Sequence, residues 1–83
     1  MRTYTITTPT SVYLTPRQRQ VLALVALEYT TKDIARLIDR EPKMVESHLA
    51  SIYQKLHVHS RVGAVVEAMR LGELPSDSEG ITI

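Results

Sequence analysis

Eighty-three residues, 43% of them hydrophobic, suffice for one small domain, and no internal repeat or long linker argues for a second. The chain has no Cys, which excludes disulfides and thiolate metal sites, and no Phe or Trp, so Leu, Ile, Val, Ala and Met must build the core, a palette suited to packed helices. A net charge of +1 is by itself a poor argument for a nucleic-acid partner.

The first thirteen residues alternate loosely, with Tyr4 and Ile6 among threonines, and break at Pro9, as a short strand or an arm would. They lack the apolar centre of a signal peptide, and no later run approaches the roughly 18 apolar residues of a membrane span, so the chain is expected to be cytoplasmic and without membrane contact. Helix one has a clear start. Thr15 is the N-cap, Pro16 takes the first helical position and Gln18 completes a capping box. The helix is expected to run to about Glu28, with Leu22, Val25 and Ala26 as its inner stripe and Val21 and Leu24 widening it. A second capping box, Thr30 with Asp33, opens helix two, expected over about 31–38, where Ile34, Ala35 and Ile38 share a side. After the short turn Asp39, Arg40, Glu41, Pro42 begins helix three, which runs to about Leu56 with Val45, Leu49, Ile52 and Leu56 in helical register. Ser60 caps helix four, whose Val62, Val65, Val66 and Met69 repeat at helical spacing, and Gly72 terminates it. The segment PSDSEG at 75–80 is turn-rich and residues 81–83 are β-prone, so the termini could pair as a two-stranded ribbon within one chain or across a dimer. The expected fold is all-α: four helices over residues 14–74, an N-terminal arm at 1–13 and a C-terminal tail at 75–83.

Helices two and three, joined by a tight turn, have the outline of a helix-turn-helix. The face of helix three opposite its apolar stripe carries Lys43, Glu46, Ser47, Ala50 and Gln54, all polar or small, so its backbone could approach a nucleic-acid groove closely. On an arbitrary helix the same residues would be only a solvated face. Charge is unevenly spread. Arg17, Arg19, Lys32, Arg36, Arg40, Lys43, Lys55 and Arg61 make the body mildly basic against five acids, whereas Glu67, Glu73, Asp77 and Glu79 make the end acidic. His48, His57 and His59 form no i, i+4 pair, so no metal and no cofactor is expected. A nucleophile elbow and a phosphate-cradling glycine loop are both missing from the sequence, so an enzyme is not expected.

The runs LTPRQRQVLALVA (14–26), KDIARLI (32–38), VESHLASIYQKL (45–56) and VHSR (58–61) together resemble the LuxR/FixJ-type, or GerE-like, DNA-binding domain. The resemblance covers roughly residues 14–74. It implies a four-helix, helix-turn-helix regulator of transcription that binds double-stranded DNA with helix three in the major groove and forms a homodimer through helix four. Position by position, it places base contacts at Lys43, Glu46, Ser47 and Ala50, and phosphate contacts at Lys32, Ser51, Lys55 and Arg61. The dimer seam falls on Val62, Val65, Val66 and Met69, although core packing against helix one would account for most of that stripe.

The chain departs from the family pattern at several positions. Glu46 stands where Lys is frequent, Met44 replaces a Thr, Asp39, Glu28 and His57 occupy glycine positions, and Arg40 replaces an apolar residue. A carboxylate in the groove repels phosphate unless it accepts from cytosine N4. Two functional readings therefore stand: a sequence-specific, stand-alone DNA-binding regulator, or a protein-interaction module, an adaptor or antirepressor that keeps the fold and contacts a protein partner. Met1 favours a stand-alone regulator, and a segment of a longer protein fits the sequence as well.

Overall fold

The computed structural model describes residues 14–75. Four helices follow in order, α1 (Pro16–Ala26), α2 (Thr31–Leu37), α3 (Pro42–Leu56) and α4 (Arg61–Arg70), and no strand occurs among the described residues. The arm at 1–13, most of the tail and any ribbon between them lie outside those residues.

Local chemistry sets each helix start. Thr15 and Gln18 form the expected capping box: the Thr15 hydroxyl accepts from Gln18 N at 3.1 Å and Gln18 Oε1 accepts from Thr15 N at 3.0 Å. The box expected at α2 forms only by half. Thr30 accepts from Asp33 N at 3.1 Å, but the Asp33 carboxylate, a methylene shorter than Glu, turns to Arg36 one turn on instead of reaching back. Its charge still favours the positive end of the helix. Pro42 opens α3 after Glu41, whose side chain makes no capping bond, and Ser60 caps α4 by accepting from Gly63 N at 3.0 Å.

All four helices stop in the same way. A backbone N–H five residues on closes onto the last turn: Tyr29 onto Leu24 O (3.1 Å), Arg40 onto Ala35 O (2.9 Å), Val58 onto Tyr53 O (3.0 Å) and Glu73 onto Ala68 O (2.8 Å). Each closure is a Schellman motif, which requires a left-handed residue just before its donor. Those residues are Glu28 (φ 70°), Asp39 (φ 58°), His57 (φ 58°) and Gly72 (φ 79°). Hence α1 ends at Ala26 rather than near Glu28, and α2 ends at Leu37 with Ile38 as its cap.

The core runs from Leu14 to Leu74. α1 and α3 each pack against the other three helices, and α1 is the more enclosed, with Val21, Leu22, Ala23, Leu24 and Val25 all buried. Ala26, expected on the inner stripe, is only half-buried, since the helix ends there and the chain turns away. α2 contributes Ile34 and Ala35, joined by Ile38, and α3 buries the expected Val45, Leu49, Ile52 and Leu56. α4 differs from the simple packing expectation. Its inward residues are Ala64 and Ala68, whose small side chains let the helix lie close, while Val62 (74% exposed) and Val66 (60%) face solvent and Val65 and Met69 are half-buried. An ion pair between Arg19 and Glu73 at 3.3 Å ties α1 to the turn after α4. Among the described residues no helix is long and apolar enough to cross a membrane.

A left-handed backbone costs a residue with a Cβ about 1 kcal/mol relative to glycine. Glu28→Gly or His57→Gly is therefore expected to raise stability by about 1 kcal/mol, or roughly 4–8 °C in Tm. Gly72→Ala should lower it by a similar amount, because a Cβ at Gly72 would meet nothing within 4 Å and only the backbone penalty acts. Thermal unfolding of the three variants checks this, and equal melting temperatures would refute it.

Candidate nucleic-acid interface

The left-handed Asp39 turns the chain out of α2, and Pro42, with its fixed φ, starts α3 three residues later. At 100° per residue, Lys43, Glu46, Ser47, Ala50 and Gln54 share an arc of about 100° on α3, on the side away from its buried stripe. All five are exposed. Nothing on this face is bulky and apolar, so a partner surface could come within reach of the α3 backbone. Met44 (45% exposed), half-buried His48 and Ser51, and exposed Lys55 make one flank of the arc.

The four residues expected at phosphates fall into two groups, Arg61 beside Lys32 and Ser51 beside Lys55. Arg61, at the start of α4, donates through Nη1 to the Tyr29 carbonyl at 3.4 Å and through Nη2 to the Thr31 hydroxyl. It thereby pins the α1–α2 connection and the first turn of α2, next to exposed Lys32. Ser51 and Lys55 are brought together by Gln18 of α1. Gln18 Nε2 donates to Ser51 Oγ at 3.0 Å, and Lys55 Nζ donates to Gln18 Oε1 at 2.8 Å. The sequence reading gave Gln18 only its capping role. Its position i−3 and i−4 from Val21 and Leu22, on the apolar side of α1, is the signal that its amide is drawn inward, where it is 7% exposed.

Of the remaining expected residues on α4, Val62 and Val66 face solvent while Val65 and Met69 pack partly against the core, and Val62, Val65 and Val66 border a shallow apolar hollow with Val25, Ala26 and Arg61. A second open groove lies at the α2–α3 turn, lined by Ala35, Arg36, Asp39, Arg40, Glu41 and Met44. Among the described residues no group of His, Cys, Asp or Glu side chains could hold a metal ion.

A helix backed by a buried stripe, presented to solvent by a tight turn from a shorter helix and flanked by cations, defines a helix-turn-helix module. The family model GerE, described as bacterial regulatory proteins of the luxR family, matches residues 12–68. The spore germination protein GerE of Bacillus subtilis (strain 168) is 44% identical over 61 residues, covering 74% of this chain and 82% of that protein. The putative HTH-type transcriptional regulator Rv0890c of Mycobacterium tuberculosis (strain ATCC 25618 / H37Rv) is 44% identical over 59 residues, 71% of this chain but 7% of that far longer protein. The solved structure of the transcription factor GerE superposes with a TM-score of 0.75 at 39% identity, covering 81% of this chain and all of that one. The chain belongs to the GerE, or luxR, family of bacterial regulatory proteins. It is a GerE-like helix-turn-helix domain of a transcriptional regulator.

The Arg61 contacts bear on stability independently of any ligand. Arg61→Met removes a charged donor from the Tyr29 carbonyl and from Thr31, and is expected to cost about 1–2 kcal/mol in urea unfolding of the free protein. An unchanged midpoint would show that these bonds do not hold α4 to the α2 start.

Proposed function

We propose that α3 enters the major groove of double-stranded DNA and that Lys43, Glu46, Ser47 and Ala50 meet base edges there. Lys32, Ser51, Lys55 and Arg61 meet backbone phosphates, and two copies bind as a homodimer in the cytoplasm. The observation that carries this reading is the division of α3 into a fully buried stripe and an opposite exposed face of small and polar side chains. The hydrogen bonds of three phosphate candidates support it, because Ser51 and Lys55, held by Gln18, and Arg61, held by Tyr29 and Thr31, lose less freedom on binding. Arg61 has N–H groups left beyond those bonded to Tyr29 and Thr31, so both roles are compatible. The dimer seam is supported by Val62, Val65, Val66 and Met69 at the i, i+3, i+4, i+7 spacing of a helix-pairing stripe, of which Val62 and Val66 are open to solvent. Half-sites would then lie about one helical turn, roughly 34 Å, apart.

Three cations per protomer at phosphates, six in the dimer, give an expected slope of about −5 for log affinity against log salt. Binding to duplex DNA measured across a salt series tests this, and no binding even at ~50 mM salt would sink the proposal. Glu46→Lys separates two roles for that carboxylate: an altered preferred sequence means it reads a base, and uniformly tighter binding means it only repels phosphate. Val66→Glu, at an exposed position, should leave the monomer folded and abolish dimerisation in sedimentation equilibrium.

A second reading has its own observation. Exposed Met44 closes one end of the groove formed with Arg36, Arg40 and Glu41, a mixed apolar and charged surface suited to a protein partner. An adaptor role would be favoured if Met44→Lys abolished co-purification of a protein partner while the unmutated chain failed to bind DNA.

A further inference from the structure

The exposed arc of α3 does not end at Ala50. One turn further on, about 6 Å along the axis, it carries Gln54. At 100° per residue Gln54 stands within about 40° of Lys43, Ser47 and Ala50, whereas Glu46 stands about 100° from Ser47, at the edge of the same arc. Gln54 thus lies nearer the middle of the face than Glu46 does. Ala50 and Ser47, one and two turns before it, are small, so nothing on that line of the helix screens the Gln54 amide from a surface the arc meets.

The amide is also uncommitted. Of the three glutamines in the chain, Gln18 is bonded to Thr15, Ser51 and Lys55, and Gln20 Oε1 accepts from Arg17 Nη1 at 3.1 Å. Among the described residues no side-chain hydrogen bond holds Gln54, which leaves its carbonyl oxygen and both N–H groups for a ligand.

Chemistry separates Gln54 from its neighbours on the arc. Lys43 only donates, ionised Glu46 only accepts, Ser47 offers a single hydroxyl and Ala50 offers no polar group. Gln54 alone presents a donor and an acceptor side by side in one plane. In the major groove adenine presents the complementary pair, N7 as acceptor and the N6 amino group as donor, and no other base does. A phosphate, which only accepts, would use half of that amide.

We propose that Gln54 is a specificity-determining residue that reads one adenine in each half-site through two bonds, Nε2 donating to adenine N7 and Oε1 accepting from N6. This rests on the DNA-binding reading above, with α3 in the major groove, and extends the reading face by a turn toward the end of the helix.

Selection of bound duplexes from a random library, by the unmutated chain and by Gln54→Ala, tests it. Gln54→Ala puts a good helix former at an exposed position, so the fold stands. The unmutated chain should fix an A·T pair at one position of each half-site, and Gln54→Ala should randomise that position while keeping the rest of the preferred sequence. Replacing that adenine by 7-deazaadenine should weaken binding of the unmutated chain roughly tenfold and leave Gln54→Ala unaffected. Because the side chain is neutral, the salt slope should be the same for both proteins. A preferred sequence that Gln54→Ala leaves unchanged, with or without a loss of affinity, overturns base reading by Gln54 and leaves the DNA-binding reading intact, as does indifference of the unmutated chain to 7-deazaadenine. Failure of the unmutated chain to bind any duplex overturns both.

Discussion

Five consecutive residues of α1, Val21, Leu22, Ala23, Leu24 and Val25, are buried, which a helix can achieve only if neighbours cover every side of it. In a chain with no Phe or Trp, that enclosure has to be built from short aliphatic side chains, and the remaining helices are arranged to supply it. α3 presents Val45, Leu49, Ile52 and Leu56, and α4 presents alanines so that it can lie close. The functional geometry follows from this constraint. With its apolar stripe committed to the core, α3 can face outward only with Lys43, Glu46, Ser47, Ala50 and Gln54, and with Ala64 and Ala68 committed inward, α4 is left with Val62 and Val66 in water.

The polar contacts reinforce the same arrangement at its two ends. Gln18 fastens the start of α1 to the last turns of α3, and Arg61 fastens the start of α4 to the start of α2. Each fastening involves side chains proposed above to meet a phosphate, so under that reading a substitution there moves stability and binding together.

Much of this was legible in the sequence because it is local. Thr15, Pro16 and Gln18 mark a helix start whatever lies around them, and the spacing of Val45, Leu49, Ile52 and Leu56 describes one helical face. What the sequence left open depends on which helix comes to lie where. On α4 the valines repeat at helical spacing, but so do Ala64 and Ala68, and periodicity cannot say which of two opposite stripes faces inward when close approach to α1 decides it. Gln18 reads as a capping residue, and its tie to Ser51 and Lys55 spans more than thirty positions that no local pattern connects. The early end of α1 is not marked in the sequence because glutamate seldom takes a left-handed backbone, and the Schellman closure there is held by packing rather than by residue preference.

Those closures also bear on how the chain reaches its fold. Gly72 accepts the left-handed turn without penalty, so the end of α4 is specified before any other helix arrives. Glu28 adopts it only at a steric cost, while Asp39 and His57 are side chains that tolerate it better than most. The core contacts of Leu24, Ala35 and Leu56 help fix where α1, α2 and α3 end. The connections around the helix-turn-helix thus acquire their shape together with the collapse, and the angle at which α3 is presented is a product of the assembled domain rather than of the two-helix segment alone.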